Sequence, residues 1–214
     1  MKRDEKNLLS RRKILDSAFE EFGEQGYGRS SVNTLCTSGN ISKGILYHYF
    51  QDKDELYLAC AQELFDSLTA YLTKALDEKN TVGSAKLECY FNARLCFFHE
   101  HPAYHKLFCD VVIAPPAHLA KAIEEIKAGL DALNVTVLTQ FLQTVQLRSN
   151  ITTQAAVEAF RLYQDFVNAR YQWETLDQSD LEQREQTRKR TLDVFLYGVV
   201  APQAYNQHQE EPQK

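Results

Sequence analysis

Residues 30–50 read SSVNTLCTSGNISKGILYHYF, and this stretch decides the fold of the N-terminal part of the chain. Ser30 or Ser31 can accept the exposed backbone N–H groups at the start of a short helix, and Ser42 can do the same for another. Asn40 suits the turn between them, because Asn tolerates a positive φ angle better than other non-glycine residues. A short helix, a tight turn and a second short helix predict a helix-turn-helix, whose second helix can enter the DNA major groove.

The residues on either side of this stretch are also patterned for helices. A first helix is predicted from about Leu9 to Gln25, because its apolar side chains form one stripe and Gly26 tolerates the left-handed conformation that ends helices. A long fourth helix is predicted from Lys53 to about Glu78. The acidic residues Asp52 and Glu55 precede and open it with the spacing of a capping box.

Helical periodicity continues along the rest of the chain, with turn residues at each break. The further helices are predicted at Val82–His99, Pro102–Ile113, Pro116–Leu147, Thr152–Trp173 and Ser179–Ala204. The fold class is therefore all-α with about nine helices, an N-terminal three-helix domain over residues 1–52 and a larger helical domain over residues 53–205. The final residues 206–214, NQHQEEPQK, are predicted to be a disordered tail.

Composition narrows the class of protein. The 214 residues are 44% hydrophobic with only 8 Gly and 5 Pro, which favours long uninterrupted helices around a sizeable core. No run approaches the roughly 18 apolar residues of a membrane span, and the charged N-terminus MKRDEKNLLSRRK is unlike a signal peptide, so we expect a cytoplasmic protein. The five cysteines form no C-x-x-C pair and are expected to be small buried side chains without a disulfide framework.

The net charge of −5 does not exclude a nucleic-acid partner, because the charge is unevenly distributed. The first 53 residues carry 9 Lys and Arg against 7 Asp and Glu, whereas the remaining 161 carry 15 against 22. Several of the early acidic residues fall on the first predicted helix, which leaves basic residues at the N-terminus and around the helix-turn-helix.

The segment from Ala18 to Leu56 resembles the DNA-binding region of the TetR family of bacterial transcriptional regulators. The family pattern is A-x-x-L-F-x-x-x-G-Y, T-[ST]-[VI]-x-x-I-A, A-G-V-S-x-G-[TS]-[LIF]-Y-x-[YH]-F and x-[ST]-K-[ED]-x-L. The matching residues are Gly26, Tyr27, Ser31, Val32, Leu35, Ser42, Gly44, Leu46, Tyr47, Tyr49, Phe50, Lys53 and Leu56. Asn40 replaces the usual glycine, Cys36 an alanine, and Ile45 a threonine or serine that often contacts DNA.

The resemblance implies that this segment binds operator DNA. The DNA-binding residues it implies are Ser31, Ser42, Lys43, Gly44, Ile45, Tyr47, His48 and Lys53. Tyr47, His48 and Lys53 are expected to hold phosphates, and Gly44 to let the helix approach the duplex closely. Lys43 is placed for a phosphate or a guanine edge and Ile45 for a thymine methyl group.

Other residues near this surface are expected to be structural or are left open. Leu46, Tyr49 and Phe50 are expected to pack into the core of the small three-helix domain. Arg11 and Arg12 either lie on a solvated helix face or contact phosphates.

The resemblance further implies a homodimeric repressor, released from palindromic DNA by a small molecule that binds the C-terminal domain. The candidate effector contacts are the aromatic and polar residues Arg94, Phe98, His105, Phe108, Tyr163 and Arg170, around a partly apolar ligand. Apolar stripes on the last two helices predict the dimer interface. Its residues are Ala159, Phe160, Tyr163, Phe166, Val167, Leu192, Phe195, Leu196 and Val199.

Two other classes of protein remain as alternatives. One is a DNA-binding module that responds to no ligand, and the other is a helical binding protein or enzyme with a vestigial helix-turn-helix. No nucleophile elbow, P-loop or paired-carboxylate signature points to an enzyme, and no cofactor is expected. His99, His101, His105 and Cys109 invite a metal interpretation, but no second ligand element supports it, so no metal site is predicted.

Overall fold

The computed structural model describes residues 3–113, 115–170 and 181–201. These residues contain nine α-helices, one 3-10 turn at Ala117–Leu119 and no β-strand. The helices are α1 (Arg3–Arg29), α2 (Val32–Ser38), α3 (Lys43–Tyr49), α4 (Lys53–Lys79), α5 (Ser84–Glu100), α6 (Pro102–Ile113), α7 (Ala120–Leu142), α8 (Thr153–Arg170) and α9 (Leu181–Val199). The predicted all-α fold class is confirmed.

The chain divides into two compact units. Unit 1 comprises residues 1–67 and 98–129, and unit 2 comprises residues 68–97 and 130–214. Unit 1 therefore contains the three N-terminal helices together with the first part of α4 and all of α6. The predicted division by function, into residues 1–52 and 53–205, stays a prediction.

The core of unit 1 is built on the apolar stripe of α1. Phe19 and Phe22 are buried, and α1 packs against α2, α3 and α6. The Phe22 ring meets the buried Tyr57 ring of α4 edge-on at 5.0 Å, and Phe19 stacks on Tyr104 of α6 at 4.4 Å. The helix-turn-helix thus rests on a layer that includes α4 and α6.

The first helix departs from its predicted bounds at both ends. It begins at Arg3, two turns before Leu9, and helical hydrogen bonding resumes after Gly26 as far as Arg29. Gly26 itself is not helical, with φ 67° and ψ 168°. The predicted break at Gly26 is therefore present, and a short helical piece follows it.

Unit 2 is centred on a core shared by α7, α8 and α9. Its buried side chains are Leu138, Phe141, Leu142, Ala156, Phe160, Leu192, Leu196, Val199 and Val200. The predicted helix over residues 116–147 ends earlier, at Leu142, where the Thr144 hydroxyl donates to the Phe141 carbonyl at 2.7 Å. The following residues are not helical, and Leu147 forms an isolated antiparallel bridge with Val200.

No helix among the described residues is both long enough and apolar enough to cross a membrane.

Candidate nucleic-acid interface

The turn between α2 and α3 is fixed by local hydrogen bonds. Ser31 caps α2, since its hydroxyl accepts from the Asn33 N–H at 3.2 Å. After the helix, Asn40 adopts φ 47°, and the Ile41 N–H returns to the Cys36 carbonyl at 2.8 Å. Gly39 has no room for a side chain, because a β-carbon there would collide with the Ser17 hydroxyl of α1. These contacts hold the two helices in a helix-turn-helix.

Helix α3 buries one side and exposes the other. Ser42 caps it, with its hydroxyl 3.2 Å from the Ile45 N–H, as predicted. Leu46 is fully buried and Phe50, at the C-terminal end, is nearly so. Tyr49 is half-buried and donates its hydroxyl to Asn7 Oδ1 at 3.2 Å. Leu46 and Phe50 therefore anchor α3 in the core, Tyr49 is partly buried, and the remaining side chains of α3 are exposed.

The exposed side of α3 contains all five residues expected there to bind DNA. Lys43, Gly44, Ile45, Tyr47 and His48 are all exposed. A β-carbon on Gly44 would have no neighbour within 4 Å, so the protein itself does not require glycine at this position. An exposed apolar side chain and an exposed tyrosine beside a lysine are what base-edge and phosphate contacts need.

Three neighbouring basic residues of α1, Arg11, Arg12 and Lys13, have different partners. Arg12 is neutralised within the protein, because it pairs with Asp16 at 2.7 Å and with Glu63 of α4 at 2.6 Å. Arg11 is exposed and lies over the Phe50 ring at 5.5 Å, at the C-terminal end of α3. Lys13 donates to the Asn40 carbonyl at 3.1 Å. Arg11 is thus the better placed of the two arginines for a phosphate beside α3.

Lys53 lies at the start of α4, which begins with the predicted capping box. The Glu55 N–H donates to Asp52 Oδ1 at 2.8 Å, and the Gln51 N–H donates to Glu55 Oε2 at 2.6 Å. The Lys53 ammonium donates to the carbonyls of Tyr27 and Ser30 at 2.7 and 3.2 Å. An ammonium has three N–H donors, and this one also lies over the Tyr27 ring at 4.1 Å, so a phosphate would compete with that ring for the third donor.

A polar cluster around Tyr27 was not foreseen from the sequence. The Tyr27 hydroxyl donates to Asp54, whose other oxygen lies 3.0 Å from His118 Nε2. Burial and the bond to Asp54 raise the pKa of Tyr27 to about 12, so the phenol stays protonated. On the backbone side, the Tyr27 N–H donates to Asp110 of α6 at 3.1 Å. The Gly26-Tyr27 pair is the part of this cluster that stands out in the sequence, because the other members are distant from it along the chain.

The candidate effector residues fall in both units. In unit 1, Phe98 meets the rings of His105 and Phe108, each at 5.2 Å. In unit 2, Arg94 is buried, and Tyr163 stacks on Phe160 and Phe195 at 5.8 Å. Arg170 lies outside the residues whose side chains the structure describes.

The predicted dimerisation residues are mostly inside unit 2. Phe160, Leu192, Leu196 and Val199 belong to its core, and Tyr163 and Phe195 are packed against it. Of the predicted set, Ala159 is exposed, whereas Phe166 and Val167 lie outside the described side chains. Among the described side chains of α8 and α9, the large apolar ones that are exposed are Leu162, Val194 and Tyr197.

The histidines near α6 have aromatic and sulfur neighbours. His101 stacks on Tyr104 at 5.3 Å, and His105 Nε2 lies 3.7 Å from Cys109 Sγ. His99 is exposed. Among the described residues, no three His, Cys, Asp or Glu side chains are grouped to hold a metal ion.

Known proteins match both the helix-turn-helix and the fold. Residues 14–60 match the model of the bacterial regulatory proteins, tetR family. The negative transcriptional regulator IcaR of the biofilm operon icaADBC, from Staphylococcus epidermidis, is 27% identical over 124 residues. That alignment covers 58% of this chain and 63% of IcaR, so the chain spans less than two thirds of this relative.

Two solved structures share the fold along most of the chain. The regulatory protein TetR from Rhodobacter sphaeroides aligns with a TM-score of 0.67 at 18% identity, covering 90% of this chain and 100% of that one. The regulator FadR from Bacillus subtilis, solved in complex with stearoyl-CoA, aligns with a TM-score of 0.62 at 17% identity, covering 82% and 96%. The chain therefore carries the helix-turn-helix region of the bacterial regulatory proteins of the tetR family at residues 14–60, and its fold is similar to that of the regulatory protein TetR from Rhodobacter sphaeroides.

Proposed function

We propose that this protein is a cytoplasmic, ligand-responsive transcriptional repressor that binds palindromic operator DNA as a homodimer. The exposed face of α3, with Lys43, Gly44, Ile45, Tyr47 and His48 beside Arg11 of α1, is the observation that carries the proposal. Repression, rather than activation, is supported by the name of the relative IcaR. It is a regulator of transcription rather than an enzyme.

The proposal is tested by selection from a library of randomised DNA duplexes. We expect the wild-type chain to enrich one palindromic sequence, called the selected duplex below, and to bind it more tightly than a scrambled duplex of the same composition. A reporter gene behind the selected duplex should be silenced by the protein. A rise in expression would indicate an activator, and no enrichment at any salt concentration would favour a protein with a vestigial helix-turn-helix.

Lys43 and Lys53 are expected to respond differently to truncation. Lys53→Ala should weaken binding to the selected and scrambled duplexes alike and make the salt dependence shallower by about one unit, because one phosphate contact is lost. Lys43→Ala should weaken binding to the selected duplex more than binding to the scrambled duplex if the ammonium reaches a base edge. Anisotropy titrations at several salt concentrations measure both effects. Sequence-selective loss with an unchanged salt dependence in Lys53→Ala would contradict its phosphate role, and equal losses in Lys43→Ala would contradict its base contact.

The dimer surface that we propose combines the exposed faces of α8 and α9. Ala159 and Leu162 are exposed on α8 three residues apart, and Val194 and Tyr197 repeat this spacing on α9. Residues at this spacing share one helix face. Paired with the same face of a second copy, they would form a four-helix interface that covers apolar side chains on both protomers. The buried members of the predicted set then support this surface from beneath.

The effector that we propose is a partly apolar small molecule bound by the domain after residue 53. Arg94, Phe98, His105, Phe108, Tyr163 and Arg170 stay its candidate contacts. Aromatic rings with a few polar groups are the usual lining of such sites. Within unit 1, the ring cluster of Phe98, His105 and Phe108 is an aromatic grouping of this kind.

Effector and DNA are expected to weaken each other's binding. Helix α4 is continuous from Lys53 in unit 1 to the buried Leu68 and Leu72 in unit 2, so displacement of its second part would also move its first. Coupling of this kind is reciprocal and typically changes affinity about 5–150-fold. Stearoyl-CoA, the ligand of FadR, is the first probe, titrated by calorimetry with and without the selected duplex. A ligand that binds equally well in both titrations would contradict the coupling.

A further inference from the structure

We propose that Asp110 of α6 is a positioning residue for DNA recognition, because its carboxylate fixes the junction between α1 and α2 that carries the helix-turn-helix. The proposal rests on the proposed function and adds a residue outside the DNA-binding surface. Asp110 lies 83 residues after Tyr27 in sequence, and both residues belong to unit 1. Its hydrogen-bond partners are Tyr27 and Tyr57, neither of which belongs to α3.

One oxygen of Asp110 joins three helices. Asp110 Oδ2 accepts the backbone N–H of Tyr27 at 3.1 Å and the hydroxyl of Tyr57 at 2.6 Å. Tyr57 belongs to α4 and is fully buried, and its ring also meets the Tyr27 ring edge-on at 5.0 Å. The carboxylate therefore ties the end of α1 to α4 and α6 at a single point.

The break at Gly26 creates the need for this acceptor. In an uninterrupted helix the Tyr27 N–H would donate to the carbonyl of residue 23, but the non-helical angles at Gly26 interrupt that pattern. A β-carbon at Gly26 would lie 2.6 Å from Asp110 Oδ1. Glycine is thus required here both by the positive φ angle and by the close approach of the carboxylate.

The segment held by Asp110 leads directly into α2. The Ser30 N–H donates to the Gly26 carbonyl at 3.1 Å, and the Ser31 N–H donates to Glu21 at 2.8 Å. Ser31 is itself the cap of α2. A shift of the Gly26-Tyr27 junction would therefore change where α2 begins, and α3 would move with it through the tight turn.

Partial burial of the Asp110 carboxylate disfavours its charged form. It raises the pKa of Asp110 above its ordinary value, against the lowering effect of the hydrogen bonds from Tyr57 and Tyr27. An uncharged side chain that keeps both hydrogen bonds avoids the cost of desolvating the charge. Asn offers such an acceptor in its amide oxygen, so Asp110→Asn separates the hydrogen bonds from the charge.

The test compares full-length variants by the ratio of their affinities for the selected and scrambled duplexes. Asp110→Ala is expected to lower this ratio about tenfold, the size of one lost bidentate base contact, because α3 no longer meets the groove in register. Asp110→Asn should return the ratio to within about threefold of wild type. Asp66→Ala, which removes an exposed carboxylate of α4 in the same unit, is the matched control and should leave the ratio unchanged.

A second variant keeps the test decisive if Asp110→Ala does not fold. Asp110→Leu combined with Tyr57→Phe replaces the half-buried carboxylate and the buried phenol by apolar side chains of similar size, which can be nearly neutral for stability. It still deprives the Tyr27 N–H of its acceptor, so the affinity ratio should again fall about tenfold.

The possible results separate the positioning role from the proposed function. A wild-type ratio in a folded Asp110→Ala protein or in the double variant would overturn the positioning role alone, as would equal losses on both duplexes. A wild-type chain that enriches no duplex would overturn the proposed function and the positioning role together.

Discussion

Replacement of Gly44 by Glu is expected to abolish specific DNA binding while leaving the protein folded. Gly44 lies in the first turn of α3, where a β-carbon would have no neighbour within 4 Å, so a side chain there meets only solvent in the unbound protein. Glycine in a helix costs about 0.5–1 kcal/mol relative to alanine, so the variant should be at least as stable as wild type. On DNA, the new side chain would occupy the space that the duplex needs and bring a negative charge towards it.

We expect the affinity of Gly44→Glu for the selected duplex to fall by about a hundredfold or more, equivalent to about 2.7 kcal/mol. Gly129→Glu is the matched control, because Gly129 is also exposed on a helix with nothing within 4 Å of a β-carbon. Anisotropy titration and urea unfolding of both variants give the comparison. Wild-type affinity in Gly44→Glu would mean that this face of α3 does not approach DNA.

Leu162→Glu is expected to convert the protein into a monomer at micromolar concentration. Leu162 is 71% exposed on the proposed dimer face of α8, so within one protomer its replacement costs little. In the dimer, two-fold symmetry would bury two unpaired carboxylates, which is strongly unfavourable. A monomer contacts only one half-site, so affinity for the selected palindrome should fall by about a hundredfold or more, as expected when binding loses its bivalency.

Sedimentation equilibrium measures the first effect and anisotropy titration the second. Val82→Glu is the control, since Val82 is also a highly exposed apolar residue of unit 2 and lies outside α8 and α9. It should remain dimeric with wild-type affinity. A dimeric Leu162→Glu protein would place the interface elsewhere, and a monomeric wild-type protein with high operator affinity would refute dimeric binding altogether.

Local sequence signals predicted the elements of the helix-turn-helix well. The cap hydrogen bonds made by Ser31, Ser42 and the Asp52–Glu55 pair join residues only two to four positions apart. They can therefore be predicted from the order of residues alone. The break at Gly26 and the turn at Asn40 are also local, because each depends on one residue that tolerates a positive φ angle. The predicted starts of α2 and α3 and the predicted bounds of α4 are accordingly close to those observed.

Contacts between distant residues were not predictable in the same way. Helical periodicity shows that Phe160 and Leu196 face inwards, but it does not say whether their partner is another helix of the same protomer or a second copy. The structure packs them within unit 2 and leaves Leu162 and Tyr197 exposed.

The same limit applies to polar residues. Arg11 and Arg12 are neighbours in sequence, yet only Arg12 meets Glu63, which lies 51 residues away. The tie between Tyr27 and Asp110 spans 83 residues and carries no periodic signal. The resemblance of residues 18–56 to a known family located the candidate DNA surface, but it did not reach α6.

Methylation interference on the selected duplex tests the central claim most directly, namely that α3 reads the major groove of a palindrome. Dimethyl sulfate modifies guanine N7 in the major groove and adenine N3 in the minor groove, so one experiment distinguishes the two grooves. We expect guanine N7 methylation to block wild-type binding in both half-sites, with their centres about one helical turn, roughly 34–36 Å, apart. Interference confined to adenine N3, or absent from both half-sites, would contradict recognition of DNA by α3.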